Sequence, residues 1–350
     1  MLCCIIKSLV CVIILAAAAL CTWRFGPWYG EDDSSPPETL KALNTCESCC
    51  NGLASNCNKP LNQVTFAMAH NAMSSLEDSF MVNTYNHLES LEKALVAGYR
   101  GLMLDSCNCA ESTTQEVMNE VENYFNEQED TGNGIMLGFC HSTCDGGYRD
   151  PATVLGNLKT FLDVNRNEVL IIEFEITGGT LADLHNAIDK SDLDAYAYKS
   201  NSTTSVITEW PTMQSLIDAN TRVILFAHGD GMESCATSSC PDGIFYTYDH
   251  FEETNWNDST CDIKGNEQQG MQFFLMNHWM NNDADLPSEE NAETFNTYDT
   301  LTKRFSQCSS NKVPNIVAVD FWSIGDVLPF VREKNMQTGS SGSDTSSASQ

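Results

Sequence analysis

Val169-Leu-Ile-Ile-Glu-Phe-Glu175 is the stretch of sequence that decides the fold of this chain. It is an apolar run of strand length, and its two carboxylates lie two residues apart, so they point to the same face of a strand. Seven further apolar runs of this kind occur at residues 64–69, 100–104, 135–139, 223–227, 244–248, 273–276 and 316–319. Helix-like stretches fill the first intervals, at residues 88–96, 116–125, 154–164 and 181–188. Strands that alternate with helices predict an α/β fold with parallel strands.

Polar side chains end these apolar runs. They are His70, Asp105, His141, Glu175, His228, Asp249 with His250, Asn277 with His278, and Asp320. Each alone could simply cap a strand, and for His228 and His250 we favour such a structural role. In a parallel barrel, however, the loops that leave the strand ends converge at one rim, where active sites form. The pattern therefore predicts an enzyme. His87 and His185 lie on helix-like stretches and are predicted to face solvent.

The composition limits the size of the protein and the classes of partner. The 350 residues are 42% hydrophobic, which is enough for one large domain with a substantial core. The formal net charge is −30. Such a charge excludes nucleic acid as an expected partner and gives poor long-range attraction to anionic membranes, so membrane contact is expected to be transient.

The two ends of the chain differ from the rest. Residues 1–22 contain a short apolar run after Lys7, which predicts a secretory signal peptide, with an uncleaved membrane anchor as the alternative. Residues 23–60 are predicted to form a linker and a cysteine-rich cap, residues 61–335 the barrel, and residues 336–350 a disordered Ser/Gly-rich tail.

Twelve of the sixteen cysteines lie outside the leader, and an even number in an exported chain predicts disulfides. The close set in the predicted cap is Cys46, Cys49, Cys50 and Cys57. A zinc site is the alternative there, but no histidine accompanies the set. The acceptor patterns at Asn201 and Asn257 predict N-glycosylation. We therefore expect a secreted or cell-surface glycoprotein, with anchoring in the secretory pathway as the alternative.

The residues at the rim suggest a chemistry. Two histidines on neighbouring strands suit paired general base and general acid catalysis, because an imidazole titrates near neutral pH. Asn71 follows the first histidine, Asp105 ends the second run, and Glu175 ends the run quoted above. Amide and carboxylate oxygens gathered around one point are the ligands that calcium prefers.

Five short motifs occur in an order that resembles the X domain of the phosphatidylinositol-specific phospholipase C superfamily, and most of all its secreted single-domain members of plants and fungi. The motifs are Ala69-His70-Asn71, Gly98-Tyr-Arg100-Gly-Leu-Met-Leu-Asp105, Gly138-Phe-Cys-His141-Ser142, Asn167-Glu-Val-Leu-Ile-Ile-Glu-Phe-Glu175 and Asn315-Ile-Val-Ala-Val-Asp320-Phe321. The resemblance covers roughly residues 46–333. It implies a distorted (β/α)8 TIM barrel.

The resemblance also implies an activity, cleavage of the bond between phosphate and diacylglycerol in a phosphoinositide or another phosphodiester lipid. His70 takes the part of the general base, which acts on the inositol 2-hydroxyl. His141 takes the part of the general acid, which protonates the departing glycerol oxygen. Asp320 matches the carboxylate that holds the first histidine in its productive tautomer.

Calcium is the cofactor that the resemblance implies, with Asn71, Asp105 and Glu175 as ligands. The chain departs from the signalling members at Met103, where they carry an acidic ligand. The metal-free bacterial members place an arginine where this chain has Asp105. Two further residues are predicted to contact substrate, Arg100, with a structural role as the alternative, and His278, which matches an Asn-His pair in the secreted relatives.

Three other functions are weighed against this one. A zinc hydrolase would use His228, His250 and His278, but close His-x-His or His-x-x-x-His pairs are missing. A glycerophosphodiester phosphodiesterase is also a barrel with two histidines, and attack by water would leave no cyclic phosphate. A secreted binding protein would keep the barrel and lose turnover through Met103.

Overall fold

The computed structural model describes residues 40–43, 46–110, 135–200, 206–207, 209–229, 232, 234, 243–264, 270–310 and 312–337. Nine strands lie in these residues: β1 (Phe66–Ala69), β2 (Gly101–Ala110), β3 (Ile135–Phe139), β4 (Leu170–Ile176), β5 (Val223–Gly229), β6 (Ile244–Tyr246), β7 (Phe251–Glu253), β8 (Phe273–Asn277) and β9 (Ile316–Val319). The α-helices are α1 (Leu91–Ala97), α2 (Pro151–Val164), α3 (Leu181–Lys190), α4 (Met213–Asp218), α5 (Glu289–Phe295), α6 (Tyr298–Cys308) and α7 (Val327–Gln337).

Eight parallel strands form a curled sheet in the order β6-β5-β4-β2-β1-β9-β8-β7. This topology confirms the prediction of a distorted parallel α/β barrel. One predicted barrel strand was wrong. β3 is not one of the parallel strands, because it pairs antiparallel with the carboxyl-terminal half of β2, and the two form an antiparallel arm. The eighth parallel strand is β7, which sequence analysis missed because it has only three residues and so gives no periodic signal.

The strands are apolar on both faces because both faces are covered. One apolar cluster lies on the helix side of the sheet and includes Leu102, Ile172 and Phe174. The other includes Met68, Ile171 and Phe226 and fills the barrel interior. On β4, Glu173 and Glu175 share the face of Ile171, since residues two apart lie on one side of a strand. Both carboxylates therefore point into the barrel.

Local capping explains where α2 and α3 begin. Asp150 caps α2 by accepting a hydrogen bond from the Thr153 backbone N–H at 2.7 Å, and Pro151 occupies the first helical position. Thr180 and Asp183 form a reciprocal capping box at the start of α3. These side chains satisfy backbone N–H groups that have no partner within the helix, and so they fix the exits of β3 and β4.

Five disulfides cross-link the described residues: Cys46–Cys49, Cys50–Cys57, Cys107–Cys140, Cys109–Cys144 and Cys261–Cys308. The first two confirm the predicted cysteine-rich cap. No described helix is long and apolar enough to cross a bilayer. The predicted leader, the helix at residues 116–125, the Asn201 acceptor and the predicted tail beyond Gln337 lie outside the described residues. The first two residues of that predicted tail, 336 and 337, belong to α7. The predicted domain boundaries stay predictions.

Candidate active site

A cavity of about 690 Å³ opens at the carboxyl ends of the parallel strands, which is the rim that the sequence indicated. Its lining residues are His70, Asn71, Asn83, Thr84, Asn86, Met103, Asp105, His141, Ser142, Glu175, Thr177, His228, Glu253, Trp256, Lys264, Asn277, Trp279, Asn281, Asp285, Leu286 and Pro287. Five of the eight predicted site residues are among them. Asp320 lies directly behind this lining, in contact with His70.

The His70 ring is fixed by two contacts, a hydrogen bond to Asp320 and a stacking contact with Trp279. Its Nδ1 lies 2.8 Å from Asp320 Oδ1, and that oxygen also accepts a hydrogen bond from Asn86 Nδ2 at 3.0 Å. The imidazole stacks on the Trp279 ring, with 3.8 Å between centroids. Burial alone would lower the pKa of His70, but the Asp320 carboxylate outweighs it, and the net pKa is raised. Since Nδ1 donates to Asp320, Nε2 is left to exchange a proton with a ligand in the cavity.

His141 is oriented by the backbone. Its Nδ1 lies 2.9 Å from the Thr84 carbonyl oxygen, which accepts and therefore fixes Nδ1 as protonated. Burial lowers the pKa of His141, although this hydrogen bond opposes the shift. The loop that carries His141 is held to β2, because Cys140 is bonded to Cys107. The Nε2 of His141 is thus left to exchange a proton with a ligand in the cavity.

Asp105 and Glu175 are register partners on adjacent strands, so two carboxylates stand side by side. Burial, together with the negative charge of Glu175, raises the pKa of Asp105 to about 7. The Asn71 amide lies against the same carboxylate, at 3.0 and 2.8 Å from its two oxygens. When the amide nitrogen of Asn71 faces the carboxylate, it donates hydrogen bonds to Asp105. When the amide is turned by 180°, its oxygen and the two oxygens of Asp105 lie together. This donor set fits a calcium ion, which prefers carboxylate and amide oxygens.

Met103 also lines the cavity, on the same strand face as Asp105. Its thioether is a soft donor that a hard cation such as calcium does not select. Its register partner on β4 is Glu173, a buried carboxylate. The carboxylates at the predicted metal position are therefore limited to Asp105 and Glu175 among the described lining residues.

Several contributors to the cavity were missed or misjudged from sequence. His228, for which a structural role was favoured, lines the cavity, with its Nδ1 3.4 Å from Glu173 Oε1. Glu253 and Lys264 were not identified, since β7 is too short to be recognised and Lys264 lies in the loop after it. Trp279 directly follows the Asn277-His278 pair. The sequence therefore indicated the correct strand end, but Trp279 lines the cavity and His278 does not.

The prediction that His87 faces solvent was wrong. His87 is fully buried, and its Nε2 donates to the His70 carbonyl oxygen at 2.6 Å. Its Nδ1 accepts a hydrogen bond from the Trp322 backbone N–H at 3.3 Å. His87 therefore supports the backbone of the predicted base from behind. His185, in contrast, lies on α3 with its side chain 37% exposed.

Arg100 and His278 do not take the substrate-side places predicted for them. Arg100 lies at the amino-terminal end of β2, opposite the cavity, where Nε binds Glu168 at 2.7 Å in a buried ion pair. His278 is fully buried beside the cavity wall, and its Nε2 donates to the Phe295 carbonyl oxygen at 2.8 Å. Both roles are structural, because buried polar groups must be satisfied by the protein itself.

The three histidines of the zinc alternative do not converge. His228 lines the cavity, whereas His278 faces α5 and His250 packs among the aromatic rings of Trp210 and Phe226. One metal ion needs its ligand atoms within about 2 Å of it, so all three must meet at one point. Their positions argue against a shared metal site.

The family model described as "PI-PLC X 1" matches residues 105–335, more than half of the chain. A PI-PLC X domain-containing protein of Arabidopsis thaliana is 24% identical over 314 residues, which are 84% of this chain and 64% of the relative. The chain thus spans somewhat less than two thirds of that relative's length. PI-PLC X domain-containing protein 1 of Arthroderma benhamiae is 24% identical over 317 residues, 85% of this chain and 92% of the relative.

Two bacterial enzymes of solved structure are similar at lower identity. The phosphatidylinositol-specific phospholipase C of Listeria monocytogenes has a TM-score of 0.44 and 14% identity, with 81% of this chain and 95% of that chain covered. A mutant of the Staphylococcus aureus enzyme has a TM-score of 0.49 and 10% identity, with 80% and 93% covered. The barrel assignment rests on the strand topology described above. The family match and the predicted motifs agree, and the chain belongs to the PI-PLC X domain family.

Proposed function

We propose that the protein is a phosphoric diester hydrolase that cleaves the glycerol–phosphate bond of a lipid with an inositol-type headgroup. The observation that carries the proposal is the pair His70 and His141. Both imidazoles line one cavity, and each has its Nδ1 occupied by a fixed acceptor, Asp320 for the first and the Thr84 carbonyl for the second. Two such groups can accept and deliver a proton within one reaction.

The proposed reaction is internal transfer. His70 Nε2 takes the proton of the headgroup hydroxyl next to the phosphate, and that oxygen attacks phosphorus. The bond between phosphorus and the glycerol oxygen breaks, and His141 gives its Nε2 proton to that oxygen. The products are diacylglycerol and a cyclic phosphate of the headgroup, which water can open in a second step. Asp320 positions His70 and stabilises its protonated form.

Calcium is part of the proposal, with Asn71, Asp105 and Glu175 as the residues that would hold it. When bound, it would supply positive charge to offset the negative charge that develops on the phosphoryl oxygens. The support is the side-by-side arrangement of the Asp105 and Glu175 carboxylates and the raised pKa of Asp105, which burial and the charge of Glu175 cause. Paired carboxylates of this kind are stabilised by a cation between them.

The two histidines have pKa values shifted in opposite directions, raised for His70 by Asp320 against the effect of burial and lowered for His141 by burial. A base must be neutral and an acid must be protonated when the substrate reacts. In the free protein the shifts instead favour a protonated His70 and a neutral His141. We therefore expect both limbs of the pH profile to be set by these two groups.

We also propose that the protein works outside the cytosol. The five disulfides among the described residues support an oxidising compartment, since structural disulfides persist in exported proteins. The predicted leader and acceptor sequences agree with export. A lipid substrate then requires transient contact with a membrane surface.

The test is to incubate the purified protein with phosphatidylinositol and with glycerophosphoinositol, in calcium and then in chelator, and to follow products by phosphorus NMR. A cyclic inositol phosphate signal from phosphatidylinositol is expected. Acyclic phosphate formed without a cyclic precursor would instead favour the glycerophosphodiesterase alternative, and no cleavage of either substrate would favour a binding protein.

Matched variants make the test specific. His70→Asn and His141→Asn should each lower turnover by at least about 100-fold, the lower end of what general acid–base catalysis contributes. His185→Asn is the control, because His185 lies exposed on α3 outside the cavity lining. Near-normal turnover in either cavity variant, with folding verified, would contradict the assigned roles.

A further inference from the structure

The cavity has a second wall, away from His70 and His141, that the proposed reaction does not use. We call it the β5–β8 wall, and it consists of His228, Glu253, Lys264 and Asn277. His228 is the second-last residue of β5, Glu253 ends β7 and Asn277 ends β8, while Lys264 lies in the loop after β7. The wall lines the same cavity as the two histidines, so its charges bear on which headgroups can enter.

Lys264 is held by Glu253 at two points. Its Nζ lies 3.1 Å from Glu253 Oε1, and its backbone N–H donates to the Glu253 carbonyl oxygen at 2.8 Å. The other carboxylate oxygen of Glu253, Oε2, accepts a hydrogen bond from Asn277 Nδ2 at 3.1 Å. Glu253 is buried, so its charge is only weakly screened. Its carboxylate therefore offsets the charge of the Lys264 ammonium group, although the lysine side chain is 42% exposed.

His228 is paired in the same way. Its Nδ1 lies 3.4 Å from Oε1 of Glu173, whose side chain is only 3% exposed. The ring also packs against Tyr248, with 4.9 Å between centroids. Each basic group of the β5–β8 wall thus has a carboxylate of its own, and neither leaves a net positive charge for a ligand.

The charged residues of the whole lining also leave little positive charge for an anionic ligand. Four carboxylates line the cavity, from Asp105, Glu175, Glu253 and Asp285, whereas Lys264 is the one lysine or arginine among the described lining residues. A ring phosphate carries about two negative charges and needs arginine or lysine partners. A neutral polyol needs hydrogen-bonding groups and an apolar face for its C–H edges. Asn277 and Asn281 supply hydrogen-bonding groups, and the rings of Trp256 and Trp279 supply apolar faces.

We propose that Glu253 is a specificity-determining residue: by holding Lys264 it restricts the cavity to headgroups whose polyol ring carries no phosphate beyond the one in the cleaved diester. The inference rests on the proposed function for the placement of that diester at His70 and His141. Rejection works through an opposed charge, because a second phosphate would meet the Glu253 carboxylate of the wall without a free cation to bind it.

The test compares two soluble probes that differ by one ring phosphate, myo-inositol 1-phosphate and myo-inositol 1,4-bisphosphate, by calorimetric titration of the full chain. The wild-type protein should bind the monophosphate at least about tenfold more tightly, the scale of one charge-assisted hydrogen bond. Glu253→Gln should free Lys264 and shift the ratio towards the bisphosphate by a similar factor. Equal or tighter binding of the bisphosphate by the wild type, or binding of neither probe, would overturn the proposal.

A matched control lies one residue away. Glu252 is also buried on β7 but faces the opposite side of the strand, where it pairs with Lys312 at 3.8 Å. Glu252→Gln should leave the ratio of the two affinities unchanged. A shift as large as that of Glu253→Gln would show a general loss of charge rather than release of Lys264, and would count against the proposal.

A second variant covers the case in which Glu253→Gln fails to fold. Lys264→Met should keep monophosphate binding and weaken bisphosphate binding further, since Glu253 would then be uncompensated. If Lys264→Met instead abolished binding of both probes, Lys264 would be a phosphate ligand and the proposal would be wrong.

Turnover separates this inference from the proposed function. A protein that prefers the monophosphate but cleaves no phosphatidylinositol would contradict the proposed function and keep the inference about the wall. A protein that cleaves phosphatidylinositol 4-phosphate at the same rate as phosphatidylinositol would support the proposed function and contradict the inference about the wall.

Discussion

Asp320 Oδ1 lies 2.8 Å from Nδ1 of His70, a contact between residues 250 positions apart in the chain. The carboxylate is almost fully buried, while the imidazole keeps 18% of its side chain exposed to the cavity. Because β1 and β9 are parallel neighbours, this distance in sequence becomes one strand spacing in the fold. A buried negative charge next to a ring that faces the ligand both orients the ring and favours its protonated form.

Asp320→Asn should lower the pKa of His70, because the negative charge that raises it is removed while burial, which lowers it, remains. The pKa of His141 is lowered by burial, so His70 governs the alkaline limb of the profile. We expect that limb of kcat/KM to move to lower pH, together with a loss of rate. A shift of the acid limb instead would show that the order of the two pKa values is the reverse.

Calcium affinity should depend on pH around neutrality. Burial and the neighbouring Glu175 charge raise the pKa of Asp105 to about 7, and a carboxylate must lose its proton to bind metal. Titration calorimetry should show apparent affinity falling by about tenfold for each pH unit below that value. Asp105→Asn should remove both the affinity and its pH dependence. No binding at about 1 mM calcium and pH 8, the weak end of calcium sites, would contradict the predicted metal.

The disulfide between Cys107 and Cys140 connects the strand of Asp105 to the loop of His141. Replacing both cysteines with serine should lower kcat more than it changes KM, because the general acid loses its tether. The stability cost should be about 2–4 kcal/mol. The control is serine replacement of Cys261 and Cys308, which are absent from the cavity lining. An equal loss of kcat in both pairs would show a general effect of stability.

Arg100 should matter for folding and not for substrate. Its ion pair with Glu168 is almost fully buried, at 6% and 2% side-chain exposure. Arg100→Met leaves Glu168 charged and alone, which should cost about 3–5 kcal/mol of unfolding free energy in denaturant titrations. KM and kcat per folded molecule should stay unchanged. A raised KM would restore the substrate role predicted from sequence.

His278 should make the protein less stable in mild acid. Burial, assisted by the Arg304 charge, lowers the pKa of His278 to about 4 from 6.5, and Arg304 Nη1 donates to its Nδ1 at 3.4 Å. The unfolded chain therefore binds the proton more readily, so this contribution is present above pH 6.5 and is lost as pH falls towards 4. His278→Gln can still accept and donate without titrating. Its Tm should fall less than that of the wild type between pH 7 and pH 5.

Much of the barrel was predictable because local chemistry fixes it. The apolar runs of β1, β4, β5 and β9 match the strands to within a residue or two, since a strand buried on both faces must be apolar throughout. The direction of the third run was not predictable. Ile135–Phe139 has strand composition in either pairing, and the antiparallel arm with β2 depends on contacts that only the folded chain makes.

The candidate site divides in the same way. Sequence placed His70, Asn71, Asp105, His141 and Glu175 at one rim, because side chains that end parallel strands meet there. It failed for residues whose neighbours are remote in the chain. The motif around Arg100 left a structural role and a substrate contact both open, and in the fold its guanidinium binds the Glu168 carboxylate at the other end of the barrel.

The sequence by itself determined most of the parallel strands, five residues of the rim and the oxidised cysteines of the cap, since each depends on composition and spacing along the chain. Only the tertiary structure decided which charge meets which, as in the pairs Lys264 with Glu253 and His228 with Glu173. Coulomb energy and hydrogen bonding fall off over a few ångströms, and a linear sequence carries no information on distances of that size.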